Sequence, residues 1–384
     1  MEHSYYSRSL KSKKTTWDCL GPDLTELILS YLPIPSIIRA SSVCKLWNSI
    51  IRSHSFKTQV SNHSKRLPCL FIFGPNKNFI ANNNDSHVFA FDPDYDSWIK
   101  LSKIILLTNN FFAASNGLFF FTTSSGKFSF QGVVNRQTMP LGFFRYCNPL
   151  IGVYNEPPDC SKPARFIAVG GIGPADGRLA FDIYNPHHDS WELISPHVPG
   201  TFKRSDILLS SALFKGKFYI RGIYSGFISS FDMEKHLWTD IQTLRPPGTL
   251  FSYLISCQGQ LVLAGLCSVN CNLEFKLWKI DEKTLDFSEI GVMPGDMLSS
   301  FIGKKGIKEK LACLKCIGLG DIVYVFNEES RWSKGVCVCE IYDSGKYRWT
   351  RIPDLPQPVK NVQMVVSFSS SVSVLDILLK GKED

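Results

Sequence analysis

The residues with the clearest capacity for chemistry are two cysteine pairs near the C-terminal end. Cys313 and Cys316 form a C-x-x-C pair, and Cys337 and Cys339 follow as a C-x-C pair. Four thiolates would suit a tetrahedral zinc ion. Cys337 and Cys339 lie in the strand-like run VCVCEIYD, however, where a two-residue spacing places two small side chains on one sheet face. The pattern therefore favours buried thiols, and we expect no metal or other cofactor.

Composition indicates a folded chain with a mild positive charge. The 384 residues are 44% hydrophobic and 13% aromatic, and 42 Lys and Arg stand against 34 Asp and Glu, for a net charge of +8. This apolar content is enough to bury a core. The positive charge is spread along the chain without a zinc-finger, homeodomain or RNA-binding signature, so it favours an acidic protein partner over nucleic acid.

The cysteine pattern and the N-terminus indicate where the protein works. The 12 cysteines are scattered, without the dense spacing of a small secreted disulfide scaffold, so we expect reduced thiols. The first residues lack the apolar segment of a secretory signal, and no apolar run reaches membrane-spanning length. We therefore expect a soluble protein of the cytoplasm, the nucleus or both.

A repeated pattern runs through most of the chain. Each copy has an apolar residue, then Asp or Asn, an aromatic residue six positions later and an aliphatic residue three further on. The five clear copies are FDPDYDSWIKL, YNPHHDSWELI, FDMEKHLWTDI, IDEKTLDFSEI and YDSGKYRWTRI, and a degenerate sixth is VNRQTMPLGFF, with Val134, Asn135, Leu141 and Phe144 in register. The aromatic positions, or Leu141, fall 43 to 62 residues apart, which is typical of propeller blades.

Each copy predicts a strand, a tight turn and a returning strand. Asp or Asn with Pro, Gly or Ser supplies the turn, and glycine-punctuated apolar runs such as GQLVLAGL supply further strands. The sequence therefore predicts a mainly β fold with a six-bladed β-propeller over 68–379; an ordinary β-sandwich would need no common register. We expect an insertion at Gly303 to Lys310, and ring closure by a strand near Val362 to Phe368 pairing in the first blade.

The segment 17–57 has helical rather than strand spacing. Its apolar residues recur at i, i+3, i+4 and i+7 in two runs: Leu24, Leu27, Ile28 and Tyr31, then Val43, Leu46, Trp47 and Ile50. Pro33 and Pro35 interrupt the pattern and start a short helix between the two runs. Three helices in so few residues cannot bury all of this apolar surface, so it must pack on the propeller or on a partner protein's helices.

Two resemblances accompany these patterns. Gly170 and Gly171, followed by YNP and Trp191, resemble a kelch repeat, although the other copies lack the double glycine. The helical segment resembles the F-box, with matching residues at Leu20, Asp23, Leu24, Ile28, Leu32, Pro33, Val43, Cys44, Lys45, Trp47 and Ile51. Gly21 stands where the F-box pattern has its first proline, with Pro22 displaced by one. The order of the two parts resembles the plant F-box/kelch family.

That resemblance implies a non-catalytic substrate-recognition subunit of an SCF-type E3 ubiquitin ligase. The F-box would bind a Skp-type adaptor, and through it a cullin, while the propeller binds the protein to be ubiquitinated. The residues implied in adaptor binding are Leu20, Leu24, Ile28, Leu32, Pro33, Val43, Cys44, Trp47 and Ile51. The implied division is a flexible tail at 1–16, the F-box at 17–57, a linker at 58–67, the kelch-like propeller at 68–379 and a tail at 380–384.

Two other function classes are open. One is a kelch-type interaction scaffold without a ligase role, against which the F-box string argues. The other is a propeller hydrolase or oxidase, but the chain has no repeated S-x-D-x-G-x-x-W box, and His187 and His188 fall in a predicted turn.

The substrate surface is predicted from the blade-to-blade connections that follow each Trp strand. These connections carry Asn109, Asn110, Arg145, Lys203, Arg204, Arg245 and Lys360. The kelch resemblance places ligand-contacting arginines near these positions, whereas solvated surface charge is the alternative for any single residue. Together they predict a basic funnel that favours an acidic or phosphorylated segment of an as yet unknown protein substrate.

Overall fold

The structure is a computed structural model of the 384-residue chain. The residues it describes are 20–63, 69–74, 87–101, 112–115, 118–122, 128–132, 150–154, 165–170, 181–185, 188, 190–193, 202, 208–302, 314–327, 336–355 and 366–370. The chain divides into two compact units, Met1–Arg66 and Leu67–Asp384. The predicted tails, 1–16 and 380–384, lie outside the described residues. Within the described residues, no helix has both the length and the apolar character needed to span a bilayer.

The smaller unit is helical. Its helices are α1 (Pro22–Ser30), α2 (Ile34–Ala40), α3 (Lys45–Arg52) and α4 (His54–His63). Proline lies in the first turn of both α1 and α2, where its missing N–H costs no intrahelical hydrogen bond. The core is formed by one to three residues from each helix, namely Leu29, Ile34, Ile37, Ala40, Ile50, Ile51, Phe56 and Val60.

Helix α4 differs from the prediction of three helices followed by a linker at 58–67. It begins directly after α3 and continues to His63. Phe56 and Val60 lie four residues apart on α4, hence on one face, and both are buried. The fourth helix therefore completes the core of the small unit, and the predicted linker is helical over its first residues.

The larger unit is built from antiparallel sheets. The first blade contains β1 (Cys69–Gly74), β2 (His87–Asp92), β3 (Ser97–Leu101) and the C-terminal β24 (Val366–Ser370). A three-stranded sheet follows, with β4 (Phe112–Ser115), β5 (Leu118–Thr122) and β6 (Phe128–Gly132). The second blade contains β7 (Leu150–Tyr154), β8 (Arg165–Val169), β9 (Phe181–Asn185) and β10 (Ser190–Leu193).

Three further blades follow along the chain. The third contains β11 (Leu209–Phe214), β12 (Lys217–Gly222), β13 (Phe227–Asp232), β14 (Leu237–Trp238) and β15 (Gln242–Thr243). The fourth contains β16 (Thr249–Cys257), β17 (Gln260–Val269), β18 (Asn272–Ile280) and β19 (Phe287–Val292). Helix α5 (Gly295–Ile302) leads to the fifth blade, with β20 (Leu314–Leu319), β21 (Ile322–Asn327), β22 (Val336–Ile341) and β23 (Tyr347–Arg351).

The blade count corrects the prediction. The structure shows five blades of four or more strands, not six. The position of the remaining predicted blade holds the three-stranded sheet β4–β6, and its repeat copy, Val134 to Phe144, lies outside the described residues. That copy is the weakest of the six, because Leu141 replaces the aromatic residue that packs between sheets in other copies. The predicted insertion at Gly303 to Lys310 also lies outside the described residues.

Ring closure occurs as predicted. The C-terminal strand β24 pairs with β1 from Cys69 opposite Ser370 to Phe73 opposite Val366. The first strands of successive sheets are neighbours in the order β24, β4, β7, β11, β16 and β20, and β20 is next to β24. A cavity of about 440 Å³ lies between β7, β11, β16 and β20. The larger unit is therefore a closed β-propeller.

The repeated pattern forms the turn that precedes the outer strand. Phe91 pairs with Trp98, Tyr184 with Trp191, and Phe231 with Trp238, so the first apolar residue and the tryptophan of each copy are cross-strand neighbours. In two of these turns the Asp carboxylate accepts the backbone N–H two residues later, at 3.1 Å in the turn after Phe91 and 3.0 Å in the turn after Phe231.

The tryptophans fill space between neighbouring sheets, as predicted. The Trp238 ring lies 5.4 Å from the Phe181 ring of the second blade, and Trp349 lies 6.4 Å from Phe275 of the fourth. Trp98 donates its indole N–H to the carbonyl oxygen of Pro353, 2.7 Å away, beyond the end of the fifth blade. The last copy differs in register, because Trp349 pairs with Cys339.

Candidate functional site

The first candidate surface is the apolar exterior of the helical unit. Leu24 of α1 leaves 47% of its surface exposed, and Val43, just before α3, leaves 64% exposed. Leu20, Ile28, Leu32, Pro33 and Trp47 are half-buried. Because most of these predicted adaptor-binding residues keep apolar area in contact with water, the small unit offers surface for another protein to cover.

Two predicted adaptor-binding residues have other positions. Ile51 has no exposed surface, so it belongs to the core and can only support a contact made by others. Cys44 is exposed and is the N-cap of α3, where its Sγ accepts the backbone N–H of Trp47 at 3.4 Å. Its side chain therefore fixes the start of the helix that carries Leu46 and Trp47.

The predicted set omitted two strongly exposed apolar residues. Tyr31 is 64% exposed and Leu46 is 52% exposed. Tyr31 follows Leu24 by seven residues, two helical turns, and so lies on the same side of α1, while Leu46 follows Val43 by three. Helices α1 and α3 pack against each other. The sequence could have identified both residues, because they belong to the helical runs of apolar residues and so small a core cannot bury every residue of those runs.

The second candidate surface is the end of the propeller where one blade connects to the next. Of its seven predicted residues, the structure describes one, Arg245; Asn109, Asn110, Arg145, Lys203, Arg204 and Lys360 lie outside the described residues. Arg245 is exposed in the connection between the third and fourth blades, and its Nη2 donates to the carbonyl oxygen of Thr249 at 3.3 Å.

A second arginine lies beside this connection but was not predicted. Arg221, at the end of β12, is 1% exposed and donates to three backbone carbonyl oxygens, those of Gly222, Leu244 and Ser252, at 2.7–3.3 Å. Burial, together with the nearby charge of Arg245, lowers the pKa of Arg221 to about 10. Two guanidinium groups therefore interact across this end of the blade.

The cysteines that suggested a metal site occupy the blade core. Cys316, Cys337 and Cys339 are buried in one cluster in the fifth blade, and Cys313 lies outside the described residues. Burial raises the pKa of Cys337 to about 11 and raises the pKa of Cys339 further. No group of three or more His, Cys, Asp or Glu side chains in the described ranges is arranged to hold a metal. His188 is exposed in a turn, and His187 is not described.

Known proteins are similar to this chain in its helical unit and along most of its length. The F-box domain family matches residues 17–59. Protein UNUSUAL FLORAL ORGANS of Arabidopsis thaliana is 24% identical over 387 residues, covering 88% of this chain and 79% of that protein. F-box only protein 13 of the same plant is 24% identical over 408 residues, covering 92% of this chain and 83% of that protein.

The name of a third similar protein includes both the F-box and the kelch repeat. An F-box/kelch-repeat protein of Arabidopsis thaliana is 24% identical over 377 residues, covering 93% of this chain and 91% of that protein. The similarity thus extends through the helical unit and the propeller alike. The chain thus carries an F-box domain and is similar over most of its length to plant F-box and F-box/kelch-repeat proteins.

Proposed function

We propose that this protein is the substrate-recognition subunit of a Skp–cullin–F-box ubiquitin ligase. In this proposal the helical unit binds a Skp-type adaptor, and through it a cullin, in the cytoplasm, the nucleus or both. The propeller binds the protein to be ubiquitinated. The observation that carries the proposal is the exposed apolar surface of the F-box, at Leu24, Tyr31, Val43 and Leu46, because a folded unit of this size normally covers such surface with a partner.

The proposed role is one of positioning. F-box proteins are generally non-catalytic adaptors of ubiquitin ligase complexes. A receptor contributes by holding a substrate at a fixed place relative to the catalytic subunits, which raises the effective concentration of the reacting groups. Under this proposal none of the chain's own side chains takes part in bond making or breaking.

The substrate surface is proposed at the connecting end of the propeller. Arg245 is exposed there. Its exposure favours a substrate with an acidic or phosphorylated segment, because a guanidinium binds carboxylate and phosphate through charge-assisted hydrogen bonds. The other six residues predicted for this surface belong to the same proposal and are supported by their place in the repeat.

The adaptor contact is tested by replacing Leu32 and Pro33 together with alanine. Both are half-buried where α1 gives way to α2. We expect co-precipitation of a Skp-type adaptor to be abolished while the propeller keeps its thermal unfolding transition. A double variant that retains the adaptor at the wild-type level would refute the assignment. Failure of the wild-type chain to co-purify with any such adaptor would favour a kelch-type scaffold without a ligase role.

A further inference from the structure

The buried Arg221 is unusual because its hydrogen-bond partners among the described residues are all backbone carbonyl oxygens. Nη1 donates to Ser252 at 2.7 Å and to Gly222 at 3.1 Å, and Nη2 donates to Leu244 at 2.9 Å. Among the described residues no carboxylate forms a salt bridge with Arg221. Burying an unpaired charge is costly unless hydrogen bonds compensate it. The backbone carbonyls that accept these hydrogen bonds must therefore stay in place around Arg221.

The constraint falls on the connection between the third and fourth blades. Arg221 joins strand β12 to this connection at Leu244 and to β16 at Ser252. Leu244 donates its N–H to the carbonyl oxygen of Gly226 at 2.9 Å, and Gly226 approaches so closely that an added Cβ would lie 3.1 Å from the Cβ of Arg245. The base of the Arg245 side chain is therefore held in place from the blade side.

Exposed apolar side chains surround this connection. Leu208, Tyr224 and Leu250 each leave almost half of their surface in water. The N–H of Ile223 donates to the carbonyl oxygen of Leu208 at 3.0 Å, and the Tyr224 ring lies 6.2 Å from the ring of Phe251, the residue that follows Leu250 in β16. We call Leu208, Tyr224, Arg245 and Leu250 the junction patch.

We propose that the junction patch binds a short acidic segment of a partner protein, in which a carboxylate side chain lies next to an aliphatic or aromatic one. We further propose that Arg221 is a positioning residue that presents Arg245 to that carboxylate. This inference rests on the proposed receptor function and names its substrate class. The carboxylate binds the exposed guanidinium, and the apolar side chain covers Tyr224 and Leu250.

Charge complementarity decides between occupants. Arg221 and Arg245 repel each other, and no carboxylate in the described part of the chain forms a salt bridge with either, so an incoming carboxylate relieves the repulsion. A nucleic acid backbone needs several accessible cations, whereas the junction patch has one and is otherwise apolar. A second copy of the chain would place Arg245 near another guanidinium-bearing surface of the same charge. The acidic, partly apolar peptide segment fits best.

The test begins with a random 12-residue peptide display library selected on the full chain bound to its adaptor. We expect selected peptides to be enriched in Asp or Glu beside Leu, Phe, Tyr or Trp. Arg245→Glu should weaken their binding about 10- to 100-fold, because it replaces a charge-assisted hydrogen bond with repulsion. Lys235→Glu is the matched control: Lys235 is exposed in the β13–β14 turn, at the other end of the same blade, and its replacement should change binding less than twofold.

The positioning role has its own readout. Arg221→Met should weaken the selected peptides about 10-fold in the wild-type background and cause no further loss in the Arg245→Ala background, since Arg221 acts through Arg245. A purely structural role would weaken binding equally in both. If Arg221→Met unfolds the propeller, Arg221→Lys supplies the same comparison, because lysine keeps the charge but cannot bridge three carbonyls in the same geometry.

The inference is overturned if the selected peptides show no acidic enrichment, or if they bind Arg245→Glu as well as the wild type. It is also overturned if the wild-type chain binds a labelled 30-base-pair DNA duplex or self-associates in sedimentation, and Arg245→Glu abolishes that binding. Adaptor binding is measured on every variant. If the adaptor complex stays intact while the peptides fail, the junction patch is wrong and the receptor function stands. If the wild-type chain binds no adaptor, the receptor function fails on its own.

Discussion

Removing two exposed leucines from the F-box should weaken adaptor binding by an amount that the structure sets. Fully burying a leucine side chain is worth about 1.5–3 kcal/mol. Leu24 and Leu46 leave 47% and 52% of their surfaces exposed. About half of that free energy, roughly 0.7–1.5 kcal/mol for each residue, is therefore still available when a partner covers them. Replacing both with alanine should cost roughly 1.5–3 kcal/mol, which is about a 10- to 150-fold increase in Kd.

The assay is titration calorimetry of the full chain with a purified Skp-type adaptor. Leu237→Ala is the matched control, because Leu237 is a leucine of the third blade with a similar exposure, 58% of its surface. We expect the control to bind like the wild type. The double variant should keep the propeller's melting transition, because both leucines lie in the helical unit, and circular dichroism checks that this unit stays helical. If it binds the adaptor within twofold of the wild type, Leu24 and Leu46 are not at the interface and the reasoning from exposed apolar area fails.

Two further predictions concern the propeller. Truncation after residue 360 removes β24, so five positions of β1 lose their partners on that side while β1 stays paired with β2. The loss is about 5 kcal/mol at roughly 1 kcal/mol per hydrogen bond, so we expect cooperative loss of the fold by thermal circular dichroism; a normal melting profile would contradict it. At pH 8, alkylation followed by peptide mapping should label the exposed Cys44 and Cys271. It should spare Cys257 and Cys337, because burial raises the pKa of Cys257 to about 12 and that of Cys337 to about 11; labelling of these two at the rate seen in denaturant would show that the blade core opens.

Sequence reasoning predicted the propeller because the repeated residues are structural in themselves. An Asp that caps its own turn and a Trp that packs between sheets are local devices, and their common register implies repeated sheets. Closure was predicted because a ring leaves no exposed sheet edge, and the pairing of β24 with β1 agrees with it. The predicted count of six blades was wrong, and it depended on a copy in which Leu141 replaces the aromatic residue.

The sites were less predictable because they depend on contacts between distant parts of the chain. Ile51 matches the F-box pattern as well as Leu24 does, yet the first is core and the second is exposed. Helix α4 has a weak apolar pattern, and only the packing of Phe56 and Val60 against the other helices shows its role. Arg221 was not predicted, because its significance comes from carbonyl groups 23 and 31 residues further along the chain.

The most direct test of the central claim is the mass of the complex formed when the full chain is co-expressed with a Skp-type adaptor and the adaptor-binding part of a cullin. Size-exclusion chromatography with light scattering should give a single species with one copy of each protein. The Leu24→Ala, Leu46→Ala double variant should shift toward the free chain when the sample is diluted. A wild-type chain that elutes alone, with its propeller folded and the adaptor and cullin forming their own complex, would contradict the account.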